Sequence, residues 1–208
     1  LFFGLKTGYS FVSYRIGSFT FIKENGKIVR KKYTLLGTGG QCLMAPPEYS
    51  PSMPYVLYNA GGAIFNFLSS LLFLLFFVLF MSVPFLSSFL LMSIFISLGL
   101  GAMNIIPFIY GNDGSNISFI RKSQEERKCF WAQMKMAQES MEGIRLKDME
   151  DEVFPIRSIE NVRGIMSSSA LAYYENKLLD QGEVGKALEI CNEALSSPFL
   201  PPIIKSVL

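Results

Sequence analysis

Between Glu48 and Asp113 the chain carries no Asp, Glu, Lys or Arg. A run of that length without a single charge has no place on a water-exposed surface. Within it, Val56 to about Met81 and Phe85 to about Ile106 are each long enough to cross a hydrocarbon layer of ~30 Å at ~1.5 Å per residue. Only Ser82-Val83-Pro84 separates them, so the two helices form an antiparallel hairpin whose outer flanks lie on one side. Lys23, Lys27, Arg30, Lys31 and Lys32 precede the pair, and Arg121 and Lys122 follow it. The positive-inside rule then places both flanks, and both termini of this chain, in the cytoplasm. The lipid bilayer is the first partner that the sequence implies.

The rest of the composition mostly excludes. Half of the residues are hydrophobic and 19 are Phe, while the net charge is only +2. Neither arm is basic enough to bind nucleic acid. There is no histidine, which removes the commonest general base and zinc ligand from these 208 residues. Cys42, Cys129 and Cys191 are odd in number, far apart and without any C-x-x-C pairing, so they read as reduced thiols.

From Tyr9 to Leu36 the pattern is strand-like. Apolar residues from Phe11 to Ile22 and from Ile28 to Leu35 flank Glu24-Asn25-Gly26-Lys27, and Asn-Gly between such runs signals a hairpin. Gly37-Thr38-Gly39-Gly40 is expected to break the strand. It lacks the Gly-Lys-Ser/Thr end of a phosphate loop. Pro46, Pro47, Pro51 and Pro54 predict a stiff connector. After residue 122 the sequence turns mixed-charge and helix-forming, with loops around Gly143 and Pro155.

Ala170 to Leu195, with a Gly182 turn, reads as two amphipathic helices resembling one tetratricopeptide-repeat unit. One such unit cannot cover its own apolar face, so it needs neighbouring helices or a protein partner. Trp131, with Phe130, Met134 and Met136, reads as a packing face or an interfacial anchor. Glu125-Glu126-Arg127-Lys128 and Asp148 to Glu152 read as solvated helix surface. Asn116-Ile117-Ser118 fits a glycosylation sequon, inert on a cytosolic segment. The expected fold is therefore membrane α-helical. A β-hairpin-rich segment (1–55) precedes a two-helix transmembrane hairpin (56–120), and a cytosolic helical domain (121–208) follows.

Chemistry concentrates at the cytosolic end of the hairpin. Asn59, Gly61, Gly62 and Asn66 cluster near the start of the first helix, and the second ends in Gly99-Leu100-Gly101-Ala102-Met103-Asn104. One reading is close helix packing through small residues, with amides as glue. The sharper one is a polar pocket formed by Asn66, Asn104 and Asp113, because an acid at the edge of hydrocarbon is costly and is kept for a purpose.

These residues resemble motifs of the site-2 protease type of intramembrane zinc metalloprotease. Gly62-Ala63-Ile64-Phe65-Asn66 looks like that family's G-P-x-x-N-like motif, with Ala63 where Pro is usual. Asn104-Ile105-Ile106-Pro107 and Asp113-Gly114 look like its N-x-x-P and Asp-Gly, with a longer spacer than the commonest form. Leu1 to Gly8 looks like the residues that follow the family's H-E-x-x-H helix, which this sequence does not include. The resemblance covers roughly residues 1–120.

It implies a membrane-embedded, bacterial-type zinc endopeptidase that cuts membrane-protein or peptide segments. Asp113 would be the zinc ligand from this chain, and the remaining ligands and the general base would lie outside it. It further implies that Asn66 and Asn104 line the active site. The strands at Tyr9–Leu36 would present an unwound substrate segment by strand addition. Two other readings remain open from the residues themselves. One is a non-catalytic membrane anchor or adaptor whose helical repeat binds a protein. The other is a transporter fragment that uses the broken helix ends as an ion site.

Overall fold

The computed structural model describes residues 1–24, 26–32, 40–109 and 111–197. Asn25 of the expected turn, the strand residues Tyr33 and Leu35, and the Gly37-Thr38-Gly39 break lie outside these. The chain divides into two compact units: one joins Phe3–Met53 to the residues from Phe119 onward, and the other is built from Pro54–Ser118.

In the first unit, a short helix α1 (Phe2–Lys6) leads into β1 (Ser10–Ile16), β2 (Phe19–Glu24), β3 (Lys27–Lys32) and β4 (Gly40–Ala45). They form one antiparallel sheet in the order β3-β2-β1-β4. Gly17 and Gly26 sit at the two tight turns with φ of 55° and 77°, a region closed to most side chains. Strand β4 differs from expectation: Gly40 does not end a strand but begins one, paired with Ile16. A methyl group on Gly40 would stand 3.0 Å from the Arg15 carbonyl, so the glycine permits this close pairing.

The helices that follow are α2 (Val56–Leu79), α3 (Pro84–Ile105), α4 (Asp113–Ile120), α5 (Gln124–Met141) and, after three 3-10 turns, α6 (Ile165–Asp180) and α7 (Val184–Ser196). Helix α5 joins the strand segment to the C-terminal helices. The Trp131 indole N–H donates to the Pro47 carbonyl at 2.8 Å, and the Tyr49 ring meets Trp131 edge-on at 5.8 Å. Trp131 therefore acts in packing. Its neighbours Ala132 and Met136 are fully buried with Met149, Val153 and Phe154 in the core of this unit.

The acidic stretches correct the expectation of solvated helix. Glu126 is 2 % exposed. Its carboxylate accepts from the Met166 and Ser167 amides at 2.9 and 3.2 Å and from the Ser167 hydroxyl at 2.5 Å. It thus satisfies N–H groups that the first turn of α6 leaves without helical partners. Gly164 makes room for it, since a Cβ there would lie 2.6 Å from Oε2. Asp148, Asp151 and Glu152 lie on 3-10 turns, not on an α-helix. Asp151 accepts from the buried Lys177 Nζ at 2.6 Å, and Lys177 also donates to the Met149 carbonyl at 3.0 Å and sits 4.4 Å from the centre of the Phe154 ring. Asp151 is held below the ordinary carboxylate range by the Lys177 hydrogen bond and charge, and then by Arg157. Helices α6 and α7 meet at a Gly182 turn with φ of 82°, and α6 packs on α5.

The second unit is the hairpin of α2 and α3, both long and apolar enough to cross a membrane. Pro84 opens α3 at its first turn, where its missing N–H costs nothing. The helices approach closely where Gly101 faces the Phe67 ring: a Cβ at 101 would be 2.9 Å from Phe67 Cε1. Little else covers them, since only 11 % of each apolar span is buried.

Candidate functional site at the α3–α4 corner

Helix α3 stops at Ile105 because Pro107 forces Ile106 into extended geometry, with φ −68° and ψ 118°. The chain turns back through Gly111, whose φ is 82°, and starts α4 at Asp113. Asn112 fastens this corner on both sides. Its Nδ2 donates to the carbonyls of Met103 and Ile106 at 2.6 and 2.7 Å. Its Oδ1 accepts from the Ser115 amide at 2.8 Å. One side chain thereby closes the C-terminal turn of α3 and caps α4.

Gly114 sets the distance between the two elements. A Cβ there would fall 2.1 Å from the Ile105 carbonyl oxygen and 2.4 Å from its carbon. No other residue type fits at that separation. The glycine of the Asp-Gly pair is thus needed for the first turn of α4 to rest on the last turn of α3.

With the corner closed in this way, the Asp113 carboxylate reaches helix α2. Its Oδ2 lies 3.6 Å from where a Cβ on Gly62 would stand. Asn66 is one turn further along α2 and shares the Gly62 face. Asn104 occupies the last turn of α3, beside the Ile105 carbonyl against which Gly114 rests. The structure therefore brings Asp113 to the α2 face that carries Asn66, through the two glycines.

Asn66, Asn104 and Asp113 are half-buried. Among the described residues Asn66 and Asn104 make no side-chain hydrogen bond and Asp113 no ion pair. Asn59 is different: its Nδ2 donates to the Tyr55 carbonyl of its own helix at 2.8 Å.

The chemistry of this donor set fits a divalent metal as one ligand among several. A half-buried hard carboxylate without an ion-pair partner is the state that a cation relieves. One carboxylate does not make a site, and among the described residues no three of His, Cys, Asp and Glu come together. Cys42, Cys129 and Cys191 are in thiol form and lie in the first unit, and burial, followed by Glu126 and Glu125, pushes Cys129 up to about 12.

Asn112 is the functional residue that motif reading misses. The signal for it is local: Asn placed just before an acidic first turn is a preferred helix N-cap. Comparison with known proteins gave no match: no family model, curated protein or solved structure is similar to the chain at a significant level.

Proposed function

We propose that the α2–α3 hairpin is part of a membrane-embedded zinc peptidase of the site-2 protease type and that Asp113 is its zinc ligand from this chain. One observation carries the reading. Asn112 and Gly114 hold an unpaired carboxylate against the Gly62–Asn66 face of a membrane-length helix, where an acid serving only solubility would not be held.

The other metal ligands and the general base belong to residues outside this sequence, which has no histidine. A bound zinc ion supplies Lewis acidity and a water acidic near neutral pH. Asp113 contributes one anionic oxygen donor at a fixed place. Asn66 and Asn104 contribute amide groups able to bind the backbone of an unwound substrate segment, which in an apolar setting has donors and acceptors to satisfy.

The test is zinc content of the protein expressed from its full open reading frame, beside Asp113→Ala. Stoichiometric zinc that is lost in the variant supports the peptidase. Unchanged zinc in the variant, or none in either, refutes Asp113 as ligand and favours the membrane anchor whose α6–α7 pair binds a protein. Those two helices support the anchor reading to this extent: Val184, Leu188 and Leu195 of α7 stay exposed.

A further inference from the structure

The sheet has an outer face that is both apolar and basic. Antiparallel sheets normally bury one face and keep the other polar. Here Ser13, Arg15, Thr20 and Ile22 are on the buried side, while Tyr14, Ile16, Phe19, Phe21 and Ile28 are on the open one, with Ile16 56 % and Ile28 65 % exposed. The register places them together: Tyr14 pairs with Phe21 and Ile16 with Phe19. Phe21 also pairs with Arg30, Phe19 with Lys32, and Lys23 with Ile28.

Exposed Lys23, Arg30 and Lys32 therefore stand among exposed apolar side chains. Arg30 lies 5.4 Å from the centre of the Phe19 ring. Among the described residues this face has no acid, since Glu24 points to the other side, where it pairs with Lys27 and binds Lys31.

We propose that this face docks on an anionic lipid surface. Aromatic and aliphatic groups interleaved with Lys and Arg are the chemistry that lies in the headgroup region of a negatively charged leaflet. The occupant is close at hand. Strand β4 ends at Ala45 and the membrane-length helix α2 begins at Val56, a link that spans no more than about 40 Å. The positive-inside rule assigns the sheet to the cytoplasmic side, where anionic lipid is concentrated. A peptide added as a strand would instead use an edge, and the β3 edge bears Lys27, Arg30, Lys31 and Lys32, which discourage pairing. The inference is independent of zinc chemistry.

The experiment uses a Phe19→Trp variant of the full chain, held in nanodiscs of brominated phosphatidylcholine with or without phosphatidylglycerol. The unsubstituted chain provides the Trp131 blank. Emission from the introduced indole should be quenched by the brominated lipid in the anionic discs and spared in the neutral ones. Arg30→Gln and Lys32→Gln should each lower the docked-to-free ratio roughly fivefold. Lys27→Gln, the same charge change on the opposite side, should leave it unaltered. Quenching that is equal in neutral and anionic discs would overturn the proposal. So would protection from aqueous iodide that requires two chains per disc, which assigns the face to a second copy. Protection that needs an added peptide would overturn it as well.

Discussion

Replacing Gly114 by alanine puts a methyl carbon 2.1 Å from the Ile105 carbonyl oxygen. Real Cβ contacts essentially never fall below 3.0 Å, so the first turn of α4 has to withdraw by nearly an ångström. The atom in the way is backbone, so no side-chain rotation relieves it. Withdrawal stretches the bonds of 2.6 and 2.7 Å from Asn112 to Met103 and Ile106 and the 2.8 Å cap on Ser115. Losing a neutral hydrogen bond costs about 1 kcal/mol, and losing a cap costs about as much. The alternative, keeping the corner and absorbing the strain, costs about 1–3 kcal/mol. The loss is therefore about 1–3 kcal/mol, depending on the route. Gly99→Ala is the internal control, because nothing lies within 4 Å of its Cβ position and alanine is the better helix former by about 1 kcal/mol. Unfolding in mixed micelles titrated with SDS should separate the two variants by about 2–4 kcal/mol, with hydrogen exchange rising over residues 112–120 in Gly114→Ala alone. A Gly114→Ala curve that overlays the wild type would refute the corner geometry.

Other expectations concern single groups. Glu126→Ala orphans two amides and a hydroxyl in a buried place. It should expose the first turn of α6 to faster hydrogen exchange and destabilise the first unit by about 2–4 kcal/mol; exchange at Met166 and Ser167 is the readout. Glu175 is 8 % exposed, its Oε1 lacks a partner among the described residues, and burial raises its pKa above 4.5. The folded state therefore binds the proton more tightly than the unfolded one. Stability contributed there falls as pH rises from 4.5 through the raised value, and Glu175→Gln should raise the melting temperature at neutral pH and flatten that slope. Asp151 has the opposite sign: its depressed pKa adds stability that is present above 3.8 and lost on acidification below it. Lys177→Met should shrink that acid limb of the stability profile, leaving only the part that Arg157 supplies. A maleimide at neutral pH should label Cys42 and Cys191. It should spare Cys129, which is 1 % exposed and whose pKa is pushed up to about 12.

The hairpin was legible because its signals are local and one-dimensional: a charge-free run, Pro84 at a helix start and Pro107 beyond a helix end. The β2–β3 turn was legible for the same reason through Gly26. Residues defined by partners far along the chain were not. Glu126 looks like any surface glutamate in a charged cluster until Met166 and Ser167 close on it. Strand β4 was hidden because Gly40 is a poor strand former in isolation and is chosen for its approach to the Arg15 carbonyl. At the candidate site, Asp113, Asn66 and Asn104 could be named from residue type and order. The device that aims the carboxylate could not, since its parts, Asn112 and the bare Cα of Gly114, act on carbonyls that carry no sequence signature.

That corner also acts as a lever. Asn112 ties the end of α3 to the start of α4, so the two move together, while the carboxylate they carry is read against a different helix at Gly62. Helix α3 has 22 residues, about 33 Å at 1.5 Å per residue, against a hydrocarbon layer of about 30 Å. In a bilayer a thinner core tilts such a helix and a thicker one straightens it. Any tilt of α3 that α2 does not share becomes a displacement of Asp113 along the Gly62–Asn66 face. On the proposed membrane placement, lipid thickness would thereby set the position of a single oxygen atom.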